Sequence, residues 1–417
     1  MRIGLVGAGA RGYTYSKYIQ DVLGYEIVAV ADINEERLAV ASKIFNVPKE
    51  YCFSDGLDLI NSPVQVDAVI IATQDKDHYE QTMAALDRGW DILLEKPISP
   101  DAKECLEICA KAEANGCGVT VCHVLRYTPF FEKLKEIIDS KTLGKIVSID
   151  HTECIGNHHV AHSYVRGNWR KSSETSPIIM AKSCHDMDIL LWLTGSSAGR
   201  ISSFGSLSFF KAENAPEGSA DRCLDCSIAE TCRFDVKKAY LSTMGGWPAV
   251  VLTLDQTEEG LMKAFREGPY GRCVFRCDND VCDHQSTIIE FENGVTATFT
   301  LSGMTNRITR LIHVMCEDGE IHGDSEKGEI LITRFRTNAY ESYQQEIINI
   351  GTVIGGHSGG DVKLLQDFAK NLTNKATADS RSSVSKSIES HLMACAAEES
   401  RVTGKTICMT EYRSRFN

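Results

Sequence analysis

Two patterns alternate over the first 125 residues. Short, nearly continuous apolar runs recur at 3–6, 26–31, 67–73, 91–95 and 118–122, and the stretches between them carry helical spacing. Runs that are apolar at successive positions suit strands buried on both faces of a parallel sheet. The helical patterns over 78–88 and 102–115 stop at Gly89 and Gly116, where glycine accepts the left-handed conformation that ends a helix. This alternation predicts a doubly wound α/β domain over 1–125.

Beyond that point the pattern changes. Pro129 opens a helix that runs to Ser140, and the strand that starts near Gly144 has no crossover helix after it. Further strands are predicted at 201–207, 286–291, 295–301, 310–316 and 329–334, with one helix at 183–193 among them. Asn293-Gly294 marks a hairpin turn. Strands with few crossovers indicate an open, mostly antiparallel sheet with helices on one face, so 126–417 is expected to form a second α/β domain. The end of the chain reads as two helices, 361–372 and 384–403. Residues 212–285 are the least regular and read as an insertion.

Chemistry enters at the first strand. Gly7-Ala8-Gly9-Ala10-Arg11-Gly12 follows it directly, and Asp32 ends the second strand twenty residues after Gly12. That is the layout of a dinucleotide site: the glycines let the backbone approach a pyrophosphate, and the acid accepts the ribose hydroxyls. A carboxylate there repels a 2′-phosphate, so Asp32 selects NAD over NADP. Arg37, one turn further, reads as a solvated arginine on a helix face. Thr73 and Glu95-Lys96-Pro97 lie at the carboxyl ends of their strands, where doubly wound folds bind ligands. A lysine beside a nicotinamide is expected to be desolvated and lowered in pKa, which suits proton transfer with a substrate hydroxyl. Pro97 can take a cis bond.

In the second half, Lys182 and His185 stand three apart on a predicted helix and share a face. Asp188 continues that face, where it is expected to orient the imidazole. His158, His159 and His162 cluster with Ser163 just before Arg166 and Asn168. That run reads either as a surface for sugar hydroxyls or as a polar loop.

Composition narrows the field. The 417 residues are 43% apolar and 24% charged, as in ordinary globular proteins. A net charge of −13 argues against nucleic acid or an anionic membrane as partner. No apolar run reaches the length of a membrane span, and a strand at the very start leaves no room for a signal peptide. Sixteen cysteines scattered through so long a chain are expected to be reduced and buried, in the cytoplasm. Cys223, Cys226 and Cys232 form a C-x2-C-x5-C run suited to a metal knuckle, with Cys273, Cys277, Cys282 and His284 available as a fourth ligand. Cys277 is the expected fourth member of a structural zinc site, with an iron–sulfur centre ranked after zinc; unligated thiols are the alternative.

These motifs, together with Arg126-Tyr127-Thr128-Pro129, Gly167-Asn168-Trp169-Arg170 and His185-Asp186-Met187-Asp188, resemble in kind and order those of the Gfo/Idh/MocA oxidoreductases. The resemblance spans most of the chain. It implies a Rossmann domain, and a C-terminal domain whose open sheet assembles a homodimer or homotetramer. It also implies hydride transfer between NAD(P) and a sugar or polyol carbon. Lys96 and His185 fall in the proton-handling positions, and Trp169 and Arg170 against the cofactor. Arg126, Tyr127, His162, Asn168 and Asp188 fall on the substrate side. One position departs from the pattern: Ala181 stands where many relatives carry aspartate, and Lys182 is its expected substitute. The chain also resembles a branch containing NAD-dependent glycosidases, which oxidise a sugar transiently, so redox-assisted glycoside hydrolysis is the alternative activity. A non-catalytic sensor is disfavoured because Lys96 and His185 are both present.

Overall fold

The computed structural model describes residues 1–342, 344–351, 356–373 and 380–416. Six parallel strands form the first sheet: β1 (Arg2–Val6), β2 (Glu26–Ala31), β3 (Cys52–Phe53), β4 (Ala68–Ile71), β5 (Asp91–Leu94) and β6 (Val119–Val121), in the order β3-β2-β1-β4-β5-β6. The order reverses direction between β1 and β4, which opens the ligand crevice at their carboxyl ends. Every residue of β4 and β5 is buried, as their unbroken apolar character requires.

The second sheet has nine strands: β7 (Ile146–Cys154), β8 (Ala198–Ser206), β9 (His284–Phe291), β10 (Thr296–Ser302), β11 (Thr309–Cys316), β12 (Gly319–Asp324), β13 (Glu329–Arg334), β14 (Gln344–Asn349) and β15 (Ile407–Cys408). All pairings are antiparallel except β7 with β10. Gly294, at φ +88°, makes the turn between β9 and β10. Along β9 buried and exposed residues alternate, so one sheet face carries the core and the other stays uncovered. Helices Cys184–Thr194 and Val384–Thr403 lie on the covered face, against each other and, for the second, against β8. The expected architecture is present in both halves. β14 escaped the sequence pattern because nearly all its residues are exposed, leaving no alternation to read.

The chain does not divide cleanly at residue 125. Leu364, Leu365, Phe368 and Leu372, on the helix Gly360–Thr373, pack into the same core as Ile3, Leu5 and Tyr15. The Val121 amide donates to the Ser382 carbonyl at 2.8 Å. The C-terminal segment therefore completes the first domain before the helix Val384–Thr403 returns to the second. Residues 212–285 divide between two cores: Val236, Tyr240, Ala249, Leu261 and Phe265 form a small one, while Phe234, Val274, Phe275 and Val281 pack into the core of the second domain.

Three residues expected at the substrate serve this junction instead. Arg126 donates from Nε and Nη2 to both oxygens of Asp188, each at 2.7 Å, and from Nη1 to the Arg381 carbonyl at 2.9 Å. The Tyr127 hydroxyl donates to Asp367 at 2.7 Å and meets Ser382 at 3.1 Å. Arg126, Tyr127 and Asp188 are all buried. They are structural ties, and Arg126 engages both oxygens of Asp188. Removing one partner of a buried pair leaves the other charge uncompensated, at about 3–5 kcal/mol. Asp188→Ala is expected to lose stability on that scale in urea unfolding; a change within experimental error contradicts the assignment.

Candidate active site

The dinucleotide loop is built by steric necessity. Gly7 sits at φ +89°, and a Cβ there would stand 2.5 Å from the Ala72 carbonyl oxygen. A Cβ on Gly12 would stand 1.9 Å from the Gly7 oxygen. Only glycine fits either place. The helix Ala10–Asp21 begins at Gly9 with no side-chain cap and no acid in its first turn. Its uncapped amides suit an anionic ligand such as a pyrophosphate. Asp32 lies alongside, accepting from the Ala8 amide at 2.7 Å and the Asn34 amide at 2.8 Å. This donor and acceptor set fits a dinucleotide. Arg37 is not a solvated helix-face residue: it is half-buried, with Nη1 4.0 Å from where a Cβ on Gly9 would lie.

Arg11 and Glu95 are held by each other. Arg11 Nε donates to Glu95 at 2.9 Å, its Nη groups bind Asp361 at 3.1 and 2.7 Å, and it also contacts the Tyr15 hydroxyl. That hydroxyl donates to Glu95 at 2.7 Å. Burial alone would push Glu95 up, but Arg11 and Lys96 offset it and hold the carboxyl below its usual range. Side chains so engaged brace the loop; any contact of Arg11 with a pyrophosphate falls to its backbone. The Thr73 hydroxyl likewise donates to Gln81, at 2.7 Å.

Lys96 emerges from this brace. Its amide donates to Glu95 at 2.9 Å, and the Lys96–Pro97 peptide is cis. Its Nζ crosses to the second domain and donates to the Ala181 carbonyl at 2.8 Å, one residue before Lys182. Lys182 Nζ lies 3.3 Å from Glu153, which also faces Arg310 at 2.9 Å. Arg310 Nε donates to Asp186 at 2.8 Å, and His151 Nε2 meets the same carboxylate at 2.9 Å. Glu153 and Asp186 have no solvent exposure. Burial pushes Lys182 down; Arg310 and Lys96 add to this, and Glu153 opposes it. For Asp186 burial acts upward, yet Arg310 and His151 hold it low, at about 2.

His185 sits on the first turn of the helix Cys184–Thr194, buried, its ring edge-on to His123 at 5.6 Å. His123 is edge-on in turn to His391 at 5.4 Å. His391 Nε2 accepts from the Ile98 amide at 2.9 Å, which leaves Nδ1 to donate to the Ser387 carbonyl at 3.1 Å. Burial pushes His391 down to about 3 and His123 well below its ordinary value. Neither ring nitrogen of His123 has a hydrogen-bond partner among the described residues. A column of imidazoles thus runs from His185 into the protein.

The insertion supplies the opposite wall. His162 is buried, stacked on Tyr270 at 4.9 Å and bonded to the Tyr240 hydroxyl at 3.2 Å. Trp247, half exposed, stands edge-on to His159 and His162 at 5.0 and 5.4 Å. Burial lowers His159 strongly and His162 to about 4, so both are neutral near pH 7. Lys182 and Lys96 also depress His159, which places its ring within their field. His158 is exposed and turns to Phe234. Asn168 is exposed, and Trp169 Nε1 donates to Asp75 on the β4 loop at 3.0 Å. Arg170 is engaged by Asp278 at 2.9 Å, a tie to the insertion rather than a free cation over the cofactor.

Cys223, Cys226 and Cys232 line one small cavity, and the fourth cysteine there is Cys273. Cys277 is displaced from that role because its thiol turns to the Cys273 carbonyl at 3.3 Å.

The sequence reading missed Glu153, Arg310, His123, Asp75 and Trp247. One signal was present: on β7 the buried phase carries Ile149, His151 and Glu153, and a carboxylate on the inward phase of a strand needs a reason.

A Rossmann domain with an uncapped glycine turn and a half-buried lysine, facing a second lysine and an imidazole on a second α/β domain, defines an NAD-binding oxidoreductase fold. Family models place the chain within that class. The oxidoreductase family NAD-binding Rossmann fold matches residues 1–123, and the family's C-terminal alpha/beta domain matches 135–409. The chain belongs to the Gfo/Idh/MocA oxidoreductase family. It is 26% identical over 403 residues to the putative oxidoreductase YteT of Bacillus subtilis, covering 87% of this chain and 88% of that protein. To an inositol 2-dehydrogenase of Klebsiella pneumoniae it is 31% identical over 196 residues, 46% of this chain and 54% of that protein. Among solved structures, levoglucosan dehydrogenase in complex with NADH shares the fold, with a TM-score of 0.72 at 17% identity over 98% of each chain. An oxidoreductase from Agrobacterium radiobacter, in complex with NAD+, L-tartaric acid and magnesium, gives 0.70 at 15% identity over 99% of each chain.

Proposed function

We propose that the protein is an NAD-dependent dehydrogenase of sugars or polyols, acting where the carboxyl end of the first sheet meets the second domain. The observation that carries this reading is the Lys96 contact with the Ala181 carbonyl, which brings a first-domain lysine beside Lys182 and its buried ion network. NAD, when bound, supplies the hydride acceptor. Gly7, Gly9, Ala10 and Gly12 offer backbone to its pyrophosphate, Asp32 takes its adenosine ribose, and Trp169 lies at the nicotinamide end through Asp75. Lys96 and His185 hold the reacting hydroxyl and share its proton. Lys182, driven toward its neutral form by burial, stands beside Lys96 and takes part in the same transfer.

Neutral imidazoles beside aromatic faces of the insertion suit a polyhydroxylated ring, since a neutral imidazole has one donor and one acceptor nitrogen, of which His162 gives Nδ1 to Tyr240, while Trp247 and Tyr270 cover C–H surface. The inositol and levoglucosan dehydrogenases among the similar proteins support the same substrate class. None of the relatives named above is a glycoside hydrolase, and no observation of the site favours that alternative. We extend the proposal to a homodimer or homotetramer assembled on the uncovered face of the second sheet, which exposes Val147, Phe204, Ile288 and Leu311. The expected cytoplasmic location rests on the cysteines, which form no disulfide among the described residues.

In an NAD reduction screen across inositols, free pyranoses, aryl glycosides and simple alcohols, turnover is expected with the polyols. Lys96→Met and His185→Ala should each lose ~10²–10⁴-fold in kcat while still binding NAD; near-normal turnover removes them from the mechanism. NADH should bind more tightly than NADPH, and Asp32→Ala should narrow the gap because Arg37 already leans over the loop. Equal binding of both cofactors by the unaltered protein contradicts the role of Asp32.

A further inference from the structure

The insertion gathers four cysteines from two distant stretches. Cys223 and Cys226 flank a tight turn, and Cys232 follows one loop later. Cys273 arrives by a separate route. An antiparallel bridge pairs Arg222 with Arg272, and the Cys273 amide donates to the Asp221 carbonyl at 2.8 Å. All four line one cavity of about 20 Å³ whose remaining wall is largely apolar, with Ile228, Phe234 and Phe275. A group of four thiols around a largely apolar pocket is a donor set suited to a thiophilic metal centre.

The spread of the sulfurs separates the candidates. A tetrahedral zinc with ~2.3 Å bonds holds its sulfurs ~3.8 Å apart. Among the described residues the only three ligand atoms within 4.8 Å of one another belong to His313, Glu320 and His322, so no three of these sulfurs meet that closely. An iron–sulfur cluster is also held by four cysteine thiolates, and its inorganic core stands them further apart. A second observation bears on charge. Buried Arg166 places Nη2 3.3 Å from Cys223 Sγ, a fixed cation beside a group whose thiolates outweigh the charge of the core.

We propose that Cys223, Cys226, Cys232 and Cys273 ligate an iron–sulfur cluster, and that Cys277 does not. The cluster braces the substrate wall. Arg166 also donates to the Arg272 carbonyl at 2.8 Å and the Phe234 carbonyl at 2.9 Å, and it closes the π-helix Ala161–Arg166 that carries His162.

The test is metal analysis of the full chain purified without oxygen. The unaltered protein and Cys277→Ser should contain iron and acid-labile sulfide in equal amounts and show a broad visible absorption. Cys226→Ser and Cys273→Ser should lose both. Cys226 is half-exposed, so its variant is the one better placed to keep the fold, checked by circular dichroism. Reconstitution with ferrous iron and sulfide should restore the absorption to the stripped unaltered protein and not to Cys226→Ser. Zinc in place of iron overturns the cluster. So does protein with neither metal, or a cluster that survives Cys273→Ser and fails in Cys277→Ser.

Discussion

The site depends on one constraint, the balance of charges buried where the two domains meet. Lys182 and Arg310 are offset by Glu153 and Asp186 within hydrogen-bonding or ion-pair distance. An unpaired ion in such a place costs several kcal/mol, so none of the four is dispensable by itself. Lys96 then adds a third cation from the opposite domain. Three cationic side chains thus face two carboxylates, and His151 shares one of those carboxylates. Burial, Arg310 and Lys96 lower the Lys182 ammonium while Glu153 opposes them. A lysine so lowered, beside a second lysine and an imidazole, suits the proton transfer proposed for the site.

The rest of the architecture keeps that cluster dry and in place. Glu153 and Arg310 are directly paired across β7 and β11, so the sheet register itself sets their meeting. Asp186 is added from the helix Cys184–Thr194, which Arg126 anchors through Asp188. The C-terminal segment threads through both domains. One helix completes the Rossmann core, and the next brings His391 to the end of the imidazole column. The insertion covers the remaining side with Trp247 and Tyr270, packed against the neutral His159 and His162.

How much of this was legible in the sequence follows from distance along the chain. The glycine loop, Asp32 and Lys96 depend on local geometry within one strand and turn, and they were readable. So were most strands, because each carries its own period. Glu153 and Arg310 lie far apart and acquire meaning only once β7 and β11 pair. Arg126, Asp188 and Arg170 were misplaced for the same reason. A polar side chain in a motif looks alike whether its partner is a ligand or a carboxylate across the fold, and here Asp188, Arg126 and Asp278 are the partners. Cys273 was in view, yet spacing alone did not rank it above Cys277; the bridge between Arg222 and Arg272 did.

The central claim is that a hydride passes from a hydroxyl-bearing ring carbon to the nicotinamide between Lys96 and His185. Inositols and pyranoses deuterated at the ring carbons, incubated with the protein and NAD, test it by mass spectrometry of the cofactor. The account predicts NADH that carries the label, accumulates with oxidised product, and forms more slowly than from unlabelled substrate. Consumption of a glycoside with no net NADH, or turnover that leaves the cofactor unlabelled, contradicts it.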